Sequence, residues 1–386
     1  MRLGVSVIRG TLSLSVLNNL MILANFAIQI VLARLLTPEI FGTVGLAFAI
    51  LSIFELLSYW GTAPAILQKD CNSSLADTVF VLRLVFSLIV AILVVVAYYL
   101  LQPFYDRDIL QAMLVLALCP IVVFIYDVFK AVMQKNLMLV TIGWIDLLSV
   151  TLAGLAAIIT AIQGLGLWSL VAFHVLANVT RGIGYILVSP FRPSLRFSRS
   201  EALWFWRFGR KILSIGALER IEFKTGDWFL GTIRGGVELG IYGLAWRISY
   251  LFQRLFLPVI ELTSLPTFAQ MKDDQMMLQQ AYHFVVRTLV RLLIPSCMLF
   301  SLFAPELITL LAGEKWLEAV PVFRILLIFA IASPLFRVHQ QLYYALGRPE
   351  IYLRVKVYQV SLFIISMIPL SMIWGGKGLA VGVNLG

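Results

Sequence analysis

Apolar runs of about bilayer length follow one another almost without interruption from Leu12 to Trp374, and that succession leaves few folds open. A helix needs about 20 consecutive, mainly apolar residues to cross the hydrocarbon core. Eleven segments meet this length, with predicted limits 11–35, 40–66, 77–101, 109–133, 137–162, 166–189, 208–233, 238–265, 277–304, 318–345 and 351–374. Turn chemistry separates them, as at Thr37-Pro38, Gln102-Pro103, Gly164-Leu165-Gly166, Gly235-Gly236, Gly347-Arg348-Pro349 and Gly375-Gly376-Lys377-Gly378. The runs are too long and continuous for barrel strands of about 9–11 alternating residues. The expected class is an all-α, polytopic membrane protein. A charged fraction of 13% agrees, since soluble domains carry about 25%.

A net charge of +10 raises the question of nucleic acid, but the basic residues form no solvated patch. They divide between loop ends and helix interiors, so no nucleic-acid partner is expected. Arg2 and Arg9 precede the first run, which continues without a small-residue cleavage site and reads as an uncleaved signal anchor. With the N-terminus placed in the cytoplasm, that side receives Arg2, Arg9, Lys69, Lys130, Lys135, Lys272, Arg348 and the dense group Arg192, Arg196, Arg199, Arg207, Arg210 and Lys211. The opposite side receives Arg34, Arg107, Arg234, Lys315 and Lys377, one per short loop. The bias predicts a multi-pass protein of the cytoplasmic (inner) membrane with a cytoplasmic N-terminus.

The basic connector Ser189–Trp206 divides the chain into an N-terminal six-helix lobe, 1–199, and a C-terminal lobe, 200–386. An internal echo supports two pseudo-symmetric bundles of six helices. Phe41-Gly42-Thr43-Val44-Gly45-Leu46-Ala47 after the first span matches Leu239-Gly240-Ile241-Tyr242-Gly243-Leu244-Ala245 after the seventh. Both copies join equivalent helices in the same orientation, as in parallel repeats. On this pattern Gly378 begins a twelfth span and Gly386 ends it about a third of the way across, so the expectation is a second bundle cut short in a fragment.

Seven of the cations inside spans stand out: Arg220, Lys224, Arg247, Arg254, Arg287, Arg291 and Arg324. A cation at membrane depth costs roughly 2.5–3.5 kcal/mol on mild insertion scales, so it faces a polar cavity, a partner charge or an anion. Arg220, Lys224 and Asp227 share one helix face; Arg247, Arg254 and Glu261 recur every seven residues; His283, Arg287 and Arg291 recur every four. Three such stripes would line a cavity for something negative. The competing solution is helix glue through Glu219, Glu222, Asp227 and Glu261, because buried charges commonly pair. Asn18, Asn25 and Gln29 share a face of the first span and suit either a hydroxylated ligand or a neighbouring helix. Glu55, Asp127, Asp146 and Arg83 read as isolated ionisable groups, with an acidic partner as the simplest fate for Arg83. Arg337, Gln340 and Gln341 make another one-sided polar cluster.

Catalytic signatures are missing. His174, His283 and His339 fall on different spans without metal-ligand spacing, and Cys71, Cys119 and Cys297 are scattered. Gly375-Gly376-Lys377-Gly378 lacks the spacing and the Ser/Thr of a phosphate loop. No metal, no cofactor and no enzymatic activity is expected.

Val31-Leu-Ala-Arg-Leu-Leu-Thr-Pro-Glu-Ile-Phe-Gly-Thr-Val-Gly-Leu-Ala47 resembles the opening signature of polysaccharide-biosynthesis flippases. Ala76-Asp-Thr-Val-Phe-Val-Leu-Arg-Leu84 and the stretch Asp227–Ala245 are similar to the same group, the O-antigen and exopolysaccharide exporters of the multidrug/oligosaccharidyl-lipid/polysaccharide superfamily. The resemblance implies two six-helix lobes around a central cavity, alternating access, and a polyprenyl-diphosphate-linked oligosaccharide as the substrate in the bilayer. A polysaccharide polymerase and a chain-length regulator are the further partners it implies. A multidrug antiporter and a lipid II flippase of the same superfamily are the near alternatives, and a membrane polymerase or glycosyltransferase the distant one. The first span carries no acid between Leu12 and Leu36, which argues against a pocket for cationic drugs.

Overall fold

A computed structural model describes the backbone of residues 2–55, 60–68 and 73–386, and their side chains except those of 2–15, 55, 73, 211–212, 214–223, 252–263, 266 and 349. The described residues hold helices and connections, with no strand. In chain order the helices are α1 (Arg2–Leu35), α2 (Pro38–Glu55), α3 (Thr62–Gln68), α4 (Ser73–Leu101), α5 (Arg107–Leu116), α6 (Leu118–Lys135), α7 (Leu139–Ile162) and α8 (Leu167–Val188). They continue with α9 (Arg199–Arg234), α10 (Gly236–Gln270), α11 (Gln275–Leu302), α12 (Ala304–Ala312), α13 (Ala319–Ala345), α14 (Pro349–Trp374) and α15 (Gly376–Leu385). Among the described residues, eight helical stretches are long and apolar enough to cross a membrane by length and composition. The all-α membrane architecture expected from hydropathy is the one observed.

Four expected boundaries differ. The span at 40–66 holds two helices, α2 ending at Glu55 and α3 starting at Thr62 behind Gly61 at φ +68°. The span at 109–133 divides at Ala117, where α5 ends and α6 starts anew. Pro120 sits in the first turn of α6; it has no N–H to give, so the carbonyl of Leu116 loses its partner and the helix restarts. The connector from Ser189 is extended only to Ser198, because α9 begins at Arg199 and absorbs the rest. Residues 305–317, expected as loop, form α12 and a short 3-10 turn, Glu314–Trp316, whose Trp316 is fully buried with its ring edge-on to Phe41 at 5.4 Å.

The chain divides into two compact units: Met1–Leu36 with Thr43–Trp228, and Thr37–Gly42 with Phe229–Gly386. In the first, α7 packs against α1 and α8, while α6 packs against α3, α4 and α8. Gly143 and Gly154 of α7 make notches for Leu17 and Ile28 of α1, the small-residue packing that lets helices approach where lipid supplies no hydrophobic drive. In the second unit, α13 is the central helix, flanked by α10, α11 and α15.

Gly235, at φ +88°, separates α9 from α10, and the two charges around it hold a second helix junction. Arg234 donates to the carbonyls of Ser371, Met372 and Ile373 at 3.3, 2.5 and 3.1 Å, at the C-terminal end of α14. Glu238 accepts the amide of Gly376 at 2.9 Å, at the start of α15. A cation thus meets the negative end of one helix and an anion the positive end of the next.

The echoed glycines meet within the second unit. A Cβ on Gly42 would lie 1.6 Å from the carbonyl oxygen of Gly236, and one on Gly240 would lie 1.9 Å from that of Pro38. Each glycine faces the carbonyl four residues before the other, so the first turns of α2 and α10 cross reciprocally.

Candidate functional site

The cation stripe of α11 stands open. Asp274 caps the helix by accepting the amide of Met277 at 3.0 Å, which satisfies one orphan donor and sets the helix start. From there His283, Arg287 and Arg291 follow at four-residue intervals, spanning about 12 Å of one face. All three side chains are exposed, and neither arginine makes a hydrogen bond or ion pair with any described residue. Both lie within the apolar stretch Gln275–Leu302, where an exposed guanidinium has no comfortable lipid-facing state.

The other expected ligands divide. Lys224 Nζ contacts Asp227 Oδ2 at 3.0 Å, so these two members of the α9 stripe pair with each other. Arg247 of α10 places its guanidinium over the Phe41 ring, 5.0 Å from the centroid, a cation–π contact. Arg220, Glu219 and Glu222 of α9, with Arg254 and Glu261 of α10, have side chains outside the described residues. Arg324 donates from Nε to the carbonyl of Ser301 at 3.0 Å, where α11 ends. On α1, Asn18 and Asn25 are half-buried and Gln29 is buried.

Along α13 run polar contacts only partly expected from the sequence, one of which reaches α11. Arg337 donates to Gln340 Oε1 at 2.9 Å, and Gln340 Nε2 donates to the Tyr344 hydroxyl at 3.0 Å. His339 Nδ1 lies 2.7 Å from the carbonyl of Leu335, which can only accept. In the neutral ring that puts the proton on Nδ1, leaving Nε2 to accept from the Tyr282 hydroxyl at 2.8 Å.

The first unit corrects the picture of isolated ionisable groups for Arg83, Asp127 and Asp146, while the Glu55 side chain lies outside the described residues. Arg83, fully buried, donates from Nε to Thr62 Oγ1 at 2.6 Å and pairs with Asp127 at 3.2 Å. Asp146 lies 2.7 Å from Arg181 Nε, a close contact not aligned as a hydrogen bond, and 3.4 Å from Lys130. Lys130 also stands over the Tyr185 ring at 5.4 Å. The sequence reading passed over Arg181, although a lone arginine in the apolar run 166–189 is the same signal that singled out Arg287. Arg83→Ala leaves the Asp127 carboxylate without its cation and opens a void. Its expected cost is about 3 kcal/mol, the lower end for a broken buried pair because Asp127 is partly exposed. Thermal unfolding in detergent measures this, and Arg83→Leu/Asp127→Leu together should recover most of the loss.

The described residues thus define a polytopic helical protein with an exposed cationic stripe inside one apolar span, and sequence comparison narrows the class. The chain belongs to a family of polysaccharide biosynthesis proteins, whose profile matches residues 31–321. It is 25% identical over 364 residues to the lipopolysaccharide biosynthesis protein WzxC of Escherichia coli (strain K12), covering 92% of this chain and 72% of that one. It is 25% identical to the teichuronic acid biosynthesis protein TuaB of Bacillus subtilis (strain 168), covering 75% and 61%, respectively. It is 26% identical to the succinoglycan biosynthesis transport protein ExoT of Rhizobium meliloti (strain 1021), covering 77% and 60%. The chain therefore spans about three fifths of the length of these last two relatives. Its fold is similar to that of the lipid II flippase MurJ, solved in an inward closed conformation, with a TM-score of 0.75 at 12% identity over 96% of this chain and 84% of that one. A multidrug resistance MATE family transporter of the MOP superfamily, in an inward-facing conformation, gives 0.74 at 16% identity over 95% and 90%.

Proposed function

We propose that the chain is a lipid-linked oligosaccharide flippase, a transporter rather than an enzyme. It turns a polyprenyl-diphosphate-linked oligosaccharide from the cytoplasmic to the outer leaflet of the cytoplasmic membrane, with its N-terminus in the cytoplasm. The observation that carries this reading is the α11 face, where Arg287 and Arg291 stand exposed and without a described partner inside an apolar span. A diphosphate offers the compensating charge, and each guanidinium can grip phosphate oxygens with paired N–H donors. Arg220, Lys224, Arg247 and Arg254 are the further proposed ligands. Asn18, Asn25 and Gln29 would serve the hydroxyl-rich glycan, and Glu219, Asp227, Glu261 and His283 would set the local charge. Alternating access of the lobes 1–199 and 200–386 would carry the headgroup across while the lipid tail stays in the bilayer. A polysaccharide polymerase and a chain-length regulator would take the product onward.

The relatives' names support the substrate class, since three are named for the biosynthesis of lipopolysaccharide or teichuronic acid or for succinoglycan biosynthesis transport. Reconstitution tests it. Liposomes holding the purified chain and a fluorescent polyprenyl-diphosphate oligosaccharide should show probe transfer between leaflets, read by quenching from outside. Transfer of a cationic dye with none of the saccharide would favour a multidrug exporter, and elongation of the glycan would favour a polymerase.

A further inference from the structure

The segment from Ser189 to Arg210 has two opposite sides. Its inner side is fastened to the first unit. Ser189 Oγ donates to the carbonyl of Phe129 at 3.3 Å, and Phe191 packs against Phe129 and Phe80 with ring centroids 5.4 and 6.2 Å away. The buried carboxylate of Asp77 accepts the Ser194 amide at 3.0 Å and also the Ser194 hydroxyl. The Ser198 amide donates to Thr78 Oγ1 at 3.1 Å. In α9, Phe205 is buried, and Gly209 admits the Trp60 carbonyl so closely that a Cβ would come within 2.6 Å of it.

The outer side is composed differently. Arg192, Arg196, Arg199, Arg207 and Arg210 are all exposed, and Glu201 is the only acid in the segment. Arg196, Arg199 and Arg207 make no hydrogen bond or ion pair with a described residue. Between them Leu195, Phe197, Leu203 and Trp206 are 65, 56, 49 and 51% exposed, although Trp206 also keeps its ring against that of Trp60, 4.2 Å away between centroids. Leu195 reaches its outward position at φ +52°, a backbone conformation that a leucine rarely adopts. Arg199, Leu203, Trp206 and Arg207 fall at i, i+4, i+7 and i+8 on α9, one face of the helix. The segment directly follows the apolar stretch Leu167–Val188, which puts it at a membrane boundary.

We infer that this outer side is a docking surface for anionic phospholipid headgroups, seated in the interface of the leaflet it borders. Interleaved cations and large apolar groups are what such a boundary selects: rings and aliphatic chains enter the acyl margin while guanidiniums meet phosphates. The cations are spread along the segment rather than converging. That spacing suits several singly charged headgroups, where one diphosphate would need a focused site. The inference is independent of which substrate the chain moves.

Native mass spectrometry of the purified chain, with phosphatidylglycerol or phosphatidylcholine added, tests it. The chain should retain several-fold more phosphatidylglycerol. Arg196→Gln/Arg199→Gln/Arg207→Gln should lower that preference by about threefold or more, while the exposed Arg348→Gln elsewhere should leave it intact. The triple lysine variant should keep both fold and preference, which separates lost charge from lost structure. Equal retention of the two lipids, an unchanged preference in the glutamine variant, or an equal loss in Arg348→Gln would overturn the inference. So would displacement of phosphatidylglycerol by equimolar polyprenyl diphosphate, because the surface would then be a substrate-loading site.

Discussion

Arg287→Glu/Arg291→Glu is expected to abolish rescue of a flippase-deficient strain while protein level and thermal stability stay near those of the unmodified chain. Both side chains are exposed and make no hydrogen bond or ion pair with a described residue that folding would lose. Their interaction with a diphosphate is large by comparison. One charge pair at 5 Å is worth about 3 kcal/mol at an effective dielectric constant near 20. Exchanging that attraction for equal repulsion changes the balance by about 6 kcal/mol, or roughly four orders of magnitude in binding. Lysine at both positions keeps the charge but loses the planar fork, so it should retain part of the activity. Transfer rates in proteoliposomes and melting in detergent check the two halves of this expectation. Full activity in the glutamate variant would end the anion-site reading.

The second large effect concerns folding. Gly42→Val and Gly240→Val should each prevent accumulation of a stable protein, because the new Cβ falls within 2 Å of a backbone carbonyl oxygen that no rotamer change can move. Relief requires the first turns of α2 and α10 to separate, at about 3 kcal/mol or more. Gly243→Ala, one turn further along α10, is the control. Nothing lies within 4 Å of its added methyl group, so it should be neutral or stabilise by roughly 0.5–1 kcal/mol through helix propensity. Thermal midpoints and detergent-extracted yield, measured side by side, distinguish a specific crossing from a general intolerance of substitution.

Much of the architecture was legible because a bilayer demands length and hydropathy, and both are properties of consecutive residues. The runs around 77–101, 137–162 and 351–374 appear as α4, α7 and α14 nearly as expected. The break at Ala117 was less legible, since Pro120 sits inside a run that is apolar on both sides. Residues 305–317 read as loop because they are short and carry Glu306, Glu314 and Lys315; burial of Trp316 depends on the ring of Phe41, far away in the chain.

Charge told less than its spacing promised. Lys224 and Arg287 look alike in sequence, each one cation in a helical stripe. Yet one meets a carboxylate three residues away and the other meets none that is described. Asp146 could not be matched to Lys130 and Arg181 from sequence, because the three lie on α7, α6 and α8, and only the packing of those helices brings them together. The echo around Gly42 and Gly240 marked a repeat, but its purpose was hidden: glycine has no side chain whose chemistry declares a partner.

By itself the order of residues determined that this chain is helical, lies in a membrane, and is rich in cations where lipid penalises them, because water and lipid act on each segment locally. The tertiary structure alone decided which of those cations are spoken for. Pairing is a matter of distance between helices, and a charge left without a described partner is defined by what the other described residues do not bring near it.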